Sequence, residues 1–359
     1  MTEMVASARR PKRESCLSDR GGIWAEMSIV LIKHNLHYCL ILLAVLIAFP
    51  EASKSQISPI PSQNHPSGDY TLRVDANLVI LSVTVLNRHN ALVSGLVKDD
   101  FRVYEDHALQ QIVNFTHEDL PVTVGLVIDN SMSMASKRTD VIAAALSFAH
   151  SSNPQDQMFV VNFNENVSYG LPAGIPFTDN LAQLQFALSD IKAIGETALY
   201  DAVAVALDHL QQGSCDKKVL ILISDGRDNA SKHKLPQIIE MARNSGAIIY
   251  AIGIFEEDGD QDAGVLKRFA KETGGEAFFP ESSKELALIC EGISRDIRNQ
   301  YTLAYIPTIS KQNGGYRVID VKASSPKHGQ LSVRTRPGYF MPLIPPPPGS
   351  GMVGHDSHK

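Results

Sequence analysis

The spacing of apolar residues changes twice along this chain. Residues 69–118 and 300–340 alternate apolar with polar positions, which is the period of β-strands that bury one face. Residues 121–298 instead alternate short apolar runs with longer segments of helical period. Runs such as VTVGLVID and KVLILIS have no polar face, so they are predicted to be strands covered on both sides. The pattern therefore predicts a central α/β domain between two β-rich segments.

Strands that alternate with helices of this length predict a doubly wound, mostly parallel sheet with helices on both faces. Further strands are predicted in MFVVNF and AIIYAIGI, with NVSYGL as an edge strand and AFF as a short one. The predicted helices have the sequences RTDVIAAALSFAHSS, LAQLQFALSDI, ALYDAVAVALDHLQQ, LPQIIEMARNSG, VLKRFAKETGG and KELALICEGISRDIRNQ. The β-rich segments are each too small to bury a face alone, so we expect them to pair into one accessory unit.

The amino-terminal residues 1–53 are predicted to be a signal peptide or leader. Their apolar run CLILLAVLIAF follows basic residues and is shorter than the roughly 20 residues of a spanning helix, but it has the length of a signal-peptide core. A retained membrane anchor is the alternative, and Met27 is an alternative start. Either case places the body outside the cytoplasm, as a secreted, periplasmic or envelope-associated protein. Residues 54–68 have the composition of a linker, and the Pro/Gly-rich tail 341–359 is predicted to be disordered.

Composition excludes one large class of partner. The 359 residues are 44% hydrophobic and 20% charged, which is typical of a globular protein. The formal net charge is −6 and no Lys/Arg-rich run lies in the body, so nucleic acid is not expected as a partner. Two of the four cysteines fall in the leader, and the others, Cys215 and Cys290, make neither a disulfide framework nor a metal set. Whether those two pair or stay free is open.

Oxygen-bearing side chains follow the predicted strands at the edge where ligands bind in such sheets. Asp129, Ser131 and Ser133 alternate directly after one apolar strand, and Asp225 ends another. Thr197 stands in a loop just before a helix. An all-oxygen set with few carboxylates suits a small hard cation that keeps some water, which favours Mg²⁺ or Mn²⁺ over Ca²⁺. These segments contain no Cys or His, which disfavours softer metals.

The order D-x-S-x-S (129–133), a threonine in GET and ISDG after a buried strand resembles the metal-ion-dependent adhesion site of von Willebrand factor type A domains. The resemblance covers roughly residues 121–298 and implies a Rossmann-like fold. The flanks, VLNRHNALVSGLVKDDFRVYED before and QYTLAYIP with VRTRPGYF after, are similar to bacterial secreted proteins of the VWFA-related type. The flank resemblance is the less specific one, because it rests on short β patterns.

The resemblance also implies a role for each residue. Three hydroxyls, those of Ser131, Ser133 and Thr197, would contact the cation, and Asp129 and Asp225 would hold it directly or through water. One coordination position would stay open for an Asp or Glu carboxylate of a protein partner, in adhesion or complex assembly. Where the family often has glycine between the two serines, this chain has Met132, which either changes the loop slightly or forms part of the contact rim.

Other interpretations of these residues remain open. Ser131 and Ser133 could cap the helix that follows. Asp201 and Asp228 are interpreted as a helix-face acid and a surface-turn acid, with Asp201 as a candidate second-sphere group. The acidic loop FEEDGDQD (255–262) is interpreted as a solvated rim rather than a calcium loop, because the later bidentate Glu is missing.

Two other functions compete with carboxylate capture. A structural subunit of an envelope complex could carry a vestigial metal site. A metal-dependent hydrolase would need a base beside the cation, and no G-x-S-x-G, P-loop or H-E-x-x-H motif is present. We therefore expect a binding protein rather than an enzyme.

Overall fold

The structure, a computed structural model, describes residues 78–189, 193–255, 262–308 and 315–341. The predicted leader, the linker, the start of the first β segment, most of the acidic loop and the tail after Met341 lie outside the described residues. The described residues all belong to one compact unit.

Strands form where the apolar runs predict them. In chain order they are β1 (Val79–Asn87), β2 (Phe101–Glu105), β3 (Ala108–Gln110), β4 (Ile112–Thr116), β5 (Val122–Asp129), β6 (Gln157–Phe163), β7 (Val167–Tyr169), β8 (Lys217–Ser224), β9 (Ile248–Gly253), β10 (Ala277–Phe278), β11 (Tyr301–Tyr305), β12 (Gly315–Ala323), β13 (Leu331–Arg334) and β14 (Gly338–Met341). The described helices are α1 (Arg138–Ser151), α2 (Leu181–Ser189), α3 (Leu199–Leu210), α4 (Leu235–Ser245), α5 (Ala263–Thr273) and α6 (Ser283–Arg298).

The central sheet has the order β10-β9-β8-β5-β6-β7. Every pairing is parallel except that of the edge strand β7 with β6. All eight residues of β5 are buried, as its wholly apolar sequence predicts for a strand covered on both faces. The helices form two contacting groups, α1 with α2 and α6, and α3 with α4 and α5. The predicted doubly wound, mostly parallel α/β fold, flanked by β-rich segments, is confirmed.

The strands before and after this domain pair with one another. β1 lies between β11 and β13, and β12 lies between β2 and β14, so both four-stranded sheets mix the two flanks. Their inner faces share a second apolar core, in which the tilted rings of Phe101 and Tyr301 pack with 5.1 Å between ring centroids. The α/β domain is therefore an insertion within a β-sandwich.

A buried polar cluster joins the sandwich to the α/β domain. Asp296 of α6 accepts hydrogen bonds from the Thr84 hydroxyl of β1 at 2.8 Å and from the Tyr250 hydroxyl of β9 at 2.7 Å. It also contacts the guanidinium of Arg334 on β13, which in turn contacts Glu276. One carboxylate thus binds groups from three strands, and burial without these donors would be unfavourable.

The sequence left two further features open. Cys215 and Cys290 do not pair, and burial raises the pKa of the Cys290 thiol to about 12, which makes it unreactive. Within the described ranges, no helix is long and apolar enough to cross a membrane.

Candidate metal site

The loop after β5 is held by the carboxylate at its start. One oxygen of Asp129, Oδ1, accepts the backbone N–H of Ser131 at 2.8 Å. The other, Oδ2, accepts the hydroxyl of Ser224 at 2.6 Å. Ser224 ends β8, which runs parallel to β5, so this bond joins the ends of two neighbouring strands. Asp129 therefore fixes the shape of the loop and its position on the sheet.

The two predicted serines and the second aspartate meet at this edge. The Oγ atoms of Ser131 and Ser133 lie 3.1 Å apart. The Ser133 hydroxyl donates to Oδ2 of Asp225 at 2.6 Å. Asp225 follows β8 directly, whereas the serines follow β5, so sequence positions almost a hundred residues apart form one oxygen cluster.

The segment that carries Thr197 lies beside the same loop. The backbone N–H of Met132 donates to the carbonyl of Gly195 at 3.2 Å, and that of Ile194 donates to Asn130 at 3.0 Å. Thr197 itself is buried, and its backbone N–H donates to the Asn229 side chain at 2.8 Å. The three predicted segments are thus adjacent, with hydrogen bonds between each neighbouring pair.

Two glycines permit this close approach. Gly195 and Gly226 have φ angles of +78° and +83°, in the left-handed region that glycine tolerates best. A Cβ at Gly195 would collide with the Glu165 carboxylate, and one at Gly226 would collide with the backbone carbonyl of Asp262. The G of GET and the G of ISDG are therefore required by backbone geometry.

Burial makes Asp129 an unusual carboxyl group. Its pKa is raised from 3.8 to about 6, chiefly by desolvation and in part by the nearby charge of Asp225, against the lowering effect of its hydrogen bonds with Ser131 and Ser224. Two negative carboxylates at one buried edge of the sheet repel each other, so a nearby positive charge would stabilise them. A proton, a basic side chain or a metal cation can each supply that charge.

We expect this pKa to appear in the pH dependence of folding in EDTA. Because the folded pKa lies above the unfolded one, the contribution of Asp129 to stability is fully present below pH 4 and is lost as pH rises through 6. The loss is about 3 kcal/mol for a shift of this size. Asp129→Asn does not titrate, so the difference in unfolding free energy between wild type and variant, measured from pH 4 to 8, isolates the effect. A constant difference across that range would contradict the assignment.

Several supporting residues carried no recognisable sequence signal. Asn130 is buried and donates to the side chain of Asn162 on β6 at 3.1 Å, while Arg138 contacts its amide oxygen. Ser224 and Asn229 hold Asp129 and Thr197 as described above. Asn130, Ser224 and Asn229 lie within four residues of Asp129 or Asp225, so proximity to the motif was the available clue.

Helix capping does not explain the serines. The residue that precedes α1 is Lys137, and Ser131 opens only a short 3₁₀ turn without a side-chain capping bond. Met132 has a negative φ angle within this turn, so the loop does not need glycine there. Its side chain is 63% exposed, at the rim of the cluster.

The neighbouring acids have structural partners. Asp201 accepts the backbone N–H groups of Lys232 and His233 and contacts the His233 ring at 2.7 Å. Asp228 accepts from the Tyr200 backbone N–H and from the Ser231 hydroxyl. Both carboxylates thus hold the loop between β8 and α4.

The donor set fits a hard cation. Across the described residues, no three His, Cys, Asp or Glu side chains converge as metal ligands. The cluster offers two carboxylates and serine hydroxyls instead, which matches a cation that takes few charged ligands and retains water. The 2.6 Å and 3.1 Å distances join the side-chain oxygens of Ser131, Ser133 and Asp225 in one continuous series of contacts.

Comparison with known proteins identifies a domain family within this chain. Residues 124–227 match the sequence profile of the von Willebrand factor type A domain. A von Willebrand factor type A structure from Catenulispora acidiphila is 14% identical, with 72% of each chain covered and a TM-score of 0.46. The domain of the type V pili tip protein Mfa5 from Porphyromonas gingivalis is 15% identical over 50% of this chain and 95% of its own, with a TM-score of 0.40.

Another similar structure is an aerotolerance-related membrane protein from Bacteroides fragilis, 15% identical over 49% of this chain and 98% of its own, with a TM-score of 0.40. No curated protein matches the sequence.

Proposed function

Since this chain carries a von Willebrand factor type A domain, we propose that it is an extracytoplasmic binding module that captures a partner carboxylate through a divalent cation. The observation that carries this proposal is that the side-chain oxygens of Ser131, Ser133 and Asp225 lie in one cluster. Asp129 holds the loop of the two serines by accepting the backbone N–H of Ser131. Mg²⁺ or Mn²⁺ is the expected cation, with Ca²⁺ less favoured.

Each residue has a distinct task in this proposal. Ser131, Ser133 and Thr197 supply neutral oxygens, and Asp225 supplies a carboxylate oxygen that faces the serines. Asp129 holds the loop and adds negative charge beneath it. A bound divalent cation would supply a Lewis-acidic position for a carboxylate of the partner, an Asp or Glu. Because most of the ligands are neutral, the cation keeps enough positive charge to attract that group.

The hydrolase alternative finds no support at this edge. His233 is the histidine nearest to these segments in sequence, and its ring contacts Asp201 rather than any of the five proposed ligands. We propose that the domain binds and does not catalyse. The extracytoplasmic location is supported by the apolar run in the leader, which also makes a membrane tether a testable alternative to cleavage.

Mg²⁺ and Mn²⁺ are expected to raise the unfolding temperature of the full chain, and EDTA is expected to reverse the rise. At about a hundredfold over the dissociation constant, a cation bound only by the folded state adds about 2.7 kcal/mol. Thermal unfolding in EDTA, Mg²⁺, Mn²⁺ and Ca²⁺ measures this directly.

The matched control is Asp208→Ala, which removes an exposed carboxylate from α3. This variant should respond to Mg²⁺ as wild type does, whereas Ser133→Ala should respond much less. Equal responses of wild type, Ser133→Ala and Asp208→Ala would show general ion effects and overturn the proposal. No response of any of them would favour the structural subunit with a vestigial site.

A further inference from the structure

The cluster already contains a positive charge from the chain itself. Arg227 follows Asp225 by two residues, and its Nε and Nη2 atoms lie 3.2 and 3.1 Å from Oδ2 of Asp225. Its backbone N–H donates to the other oxygen, Oδ1, at 3.1 Å. The guanidinium therefore contacts the same carboxylate oxygen that accepts the Ser133 hydroxyl.

That oxygen also lies beside a hydroxyl that would hold the proposed cation. A cation held by Ser131 and Ser133 would approach Oδ2 of Asp225, because the Ser133 hydroxyl points there at 2.6 Å. A guanidinium and a divalent cation on one oxygen would repel each other strongly at such separations. The guanidinium and the cation would therefore compete for Oδ2, and binding of one would weaken binding of the other.

The two partners differ in their freedom to move. The Asp225 side chain is 6% exposed and is fixed by backbone and hydroxyl donors, whereas the Arg227 side chain is 35% exposed. The backbone N–H bond of Arg227 does not involve its guanidinium, so the side chain can swing into solvent while the turn keeps its shape. Release would cost the energy of a partly exposed ion pair, which is modest.

We propose that Arg227 is an intramolecular competitor of the cation, which neutralises Asp225 when metal is absent and must leave it when metal binds. This inference rests on the proposed function of the site. It makes cation affinity adjustable: a weak metal site becomes stronger when the arginine is held elsewhere, for example by the carboxylate of an arriving partner. Metal and partner would then bind cooperatively.

Arg227→Gln tests the competition in the full chain. Titration calorimetry with MgCl₂ is expected to show about tenfold tighter binding than wild type, because the cation no longer displaces a charge. In EDTA the same variant should unfold at a lower temperature than wild type, since Asp225 loses its counter-charge. Saturating Mg²⁺ should remove that difference. Opposite effects on metal-free stability and on affinity would not follow from a purely structural role.

Two further variants separate contact from general charge. Lys232→Gln removes a positive charge from the same loop, but Lys232 forms no ion pair with Asp225 among the described residues. It should change the affinity for Mg²⁺ by less than about twofold. Arg227→Lys keeps the positive charge but lacks the planar guanidinium with its paired N–H donors. Its affinity for Mg²⁺ should therefore lie between those of wild type and Arg227→Gln.

Three outcomes would count against the inference. Equal affinities of wild type and Arg227→Gln would overturn the competition while leaving the proposed function intact. An equal gain in Mg²⁺ affinity in Lys232→Gln would show that the loss of any positive charge from this loop has the same effect, and it would also overturn the competition. Absence of Mg²⁺ binding in wild type and in both arginine variants would overturn the proposed function itself. Binding in Arg227→Gln with none detectable in wild type would support competition in its strongest form.

Discussion

Asp225→Ala is expected to reduce Mg²⁺ affinity by more than about a hundredfold while leaving the metal-free fold almost unchanged. The variant removes the carboxylate oxygen that faces Ser133, so a cation would lose a charged ligand. The metal-free cost is small, because Arg227 is partly exposed and can be solvated. Removal of a charge near Asp129 also relieves repulsion there. Calorimetric titration with MgCl₂ and thermal unfolding in EDTA measure the two effects separately.

Asp228→Ala is the matched control, since it removes a carboxylate three residues further along the same loop. It should loosen the contacts of Asp228 with Tyr200 and Ser231 but should retain Mg²⁺ binding within a few-fold. Retained Mg²⁺ affinity in Asp225→Ala would rule out a direct role for that carboxylate. The same loss in both variants would point to general disorder of the loop rather than to a lost ligand.

Asp296→Ala is expected to lower the unfolding free energy by about 3–5 kcal/mol. The carboxylate accepts the Thr84 and Tyr250 hydroxyls, both completely buried, and contacts Arg334. Its removal leaves these donors without their acceptor in a region that water does not reach freely. Urea denaturation followed by circular dichroism gives the free energy directly.

Asp296→Asn keeps one acceptor oxygen and should lose less than the alanine variant. Asp320→Asn is the matched control, because Asp320 forms an exposed pair with Lys322 at 3.6 Å. Such pairs contribute at most about 1 kcal/mol. If Asp296→Ala were no more destabilising than Asp320→Asn, the polar cluster would not be what holds the sandwich to the α/β domain.

The sequence predicts the α/β fold well because the buried strands are apolar on every face. Strands β5 and β8 are continuous apolar runs, without the alternation of polar and apolar residues that is typical of a strand with one exposed face. The segments between such strands have apolar residues at helical spacing. The edge strand β7 lies in the segment NVSYGL, for which the sequence predicts an edge strand. Local pattern and tertiary environment agree in these elements, which is why pattern alone suffices.

The site was only partly predictable. Asp129, Ser131 and Ser133 could be recognised because they alternate at a strand end and are followed by the GET threonine and by ISDG, a combination that is specific where D-x-S-x-S alone is weak. The guanidinium of Arg227 could not be placed from sequence, since the same residue could equally face solvent. Nor could the sequence show that Ser224 bonds Asp129, because that contact depends on the register of two parallel strands.

The insertion of the α/β domain into the sandwich determines the order in which the chain can fold. The Tyr301 hydroxyl donates to the carbonyl of Val93, 208 positions earlier, so half of the sandwich has no partner until the last strands are synthesised. Loop closure over such a distance is slow. The α/β domain is complete in the growing chain first, and β1 emerges with open edges that favour aggregation. A premature stop after α6 would therefore release a finished α/β domain attached to an unpaired, aggregation-prone half-sheet.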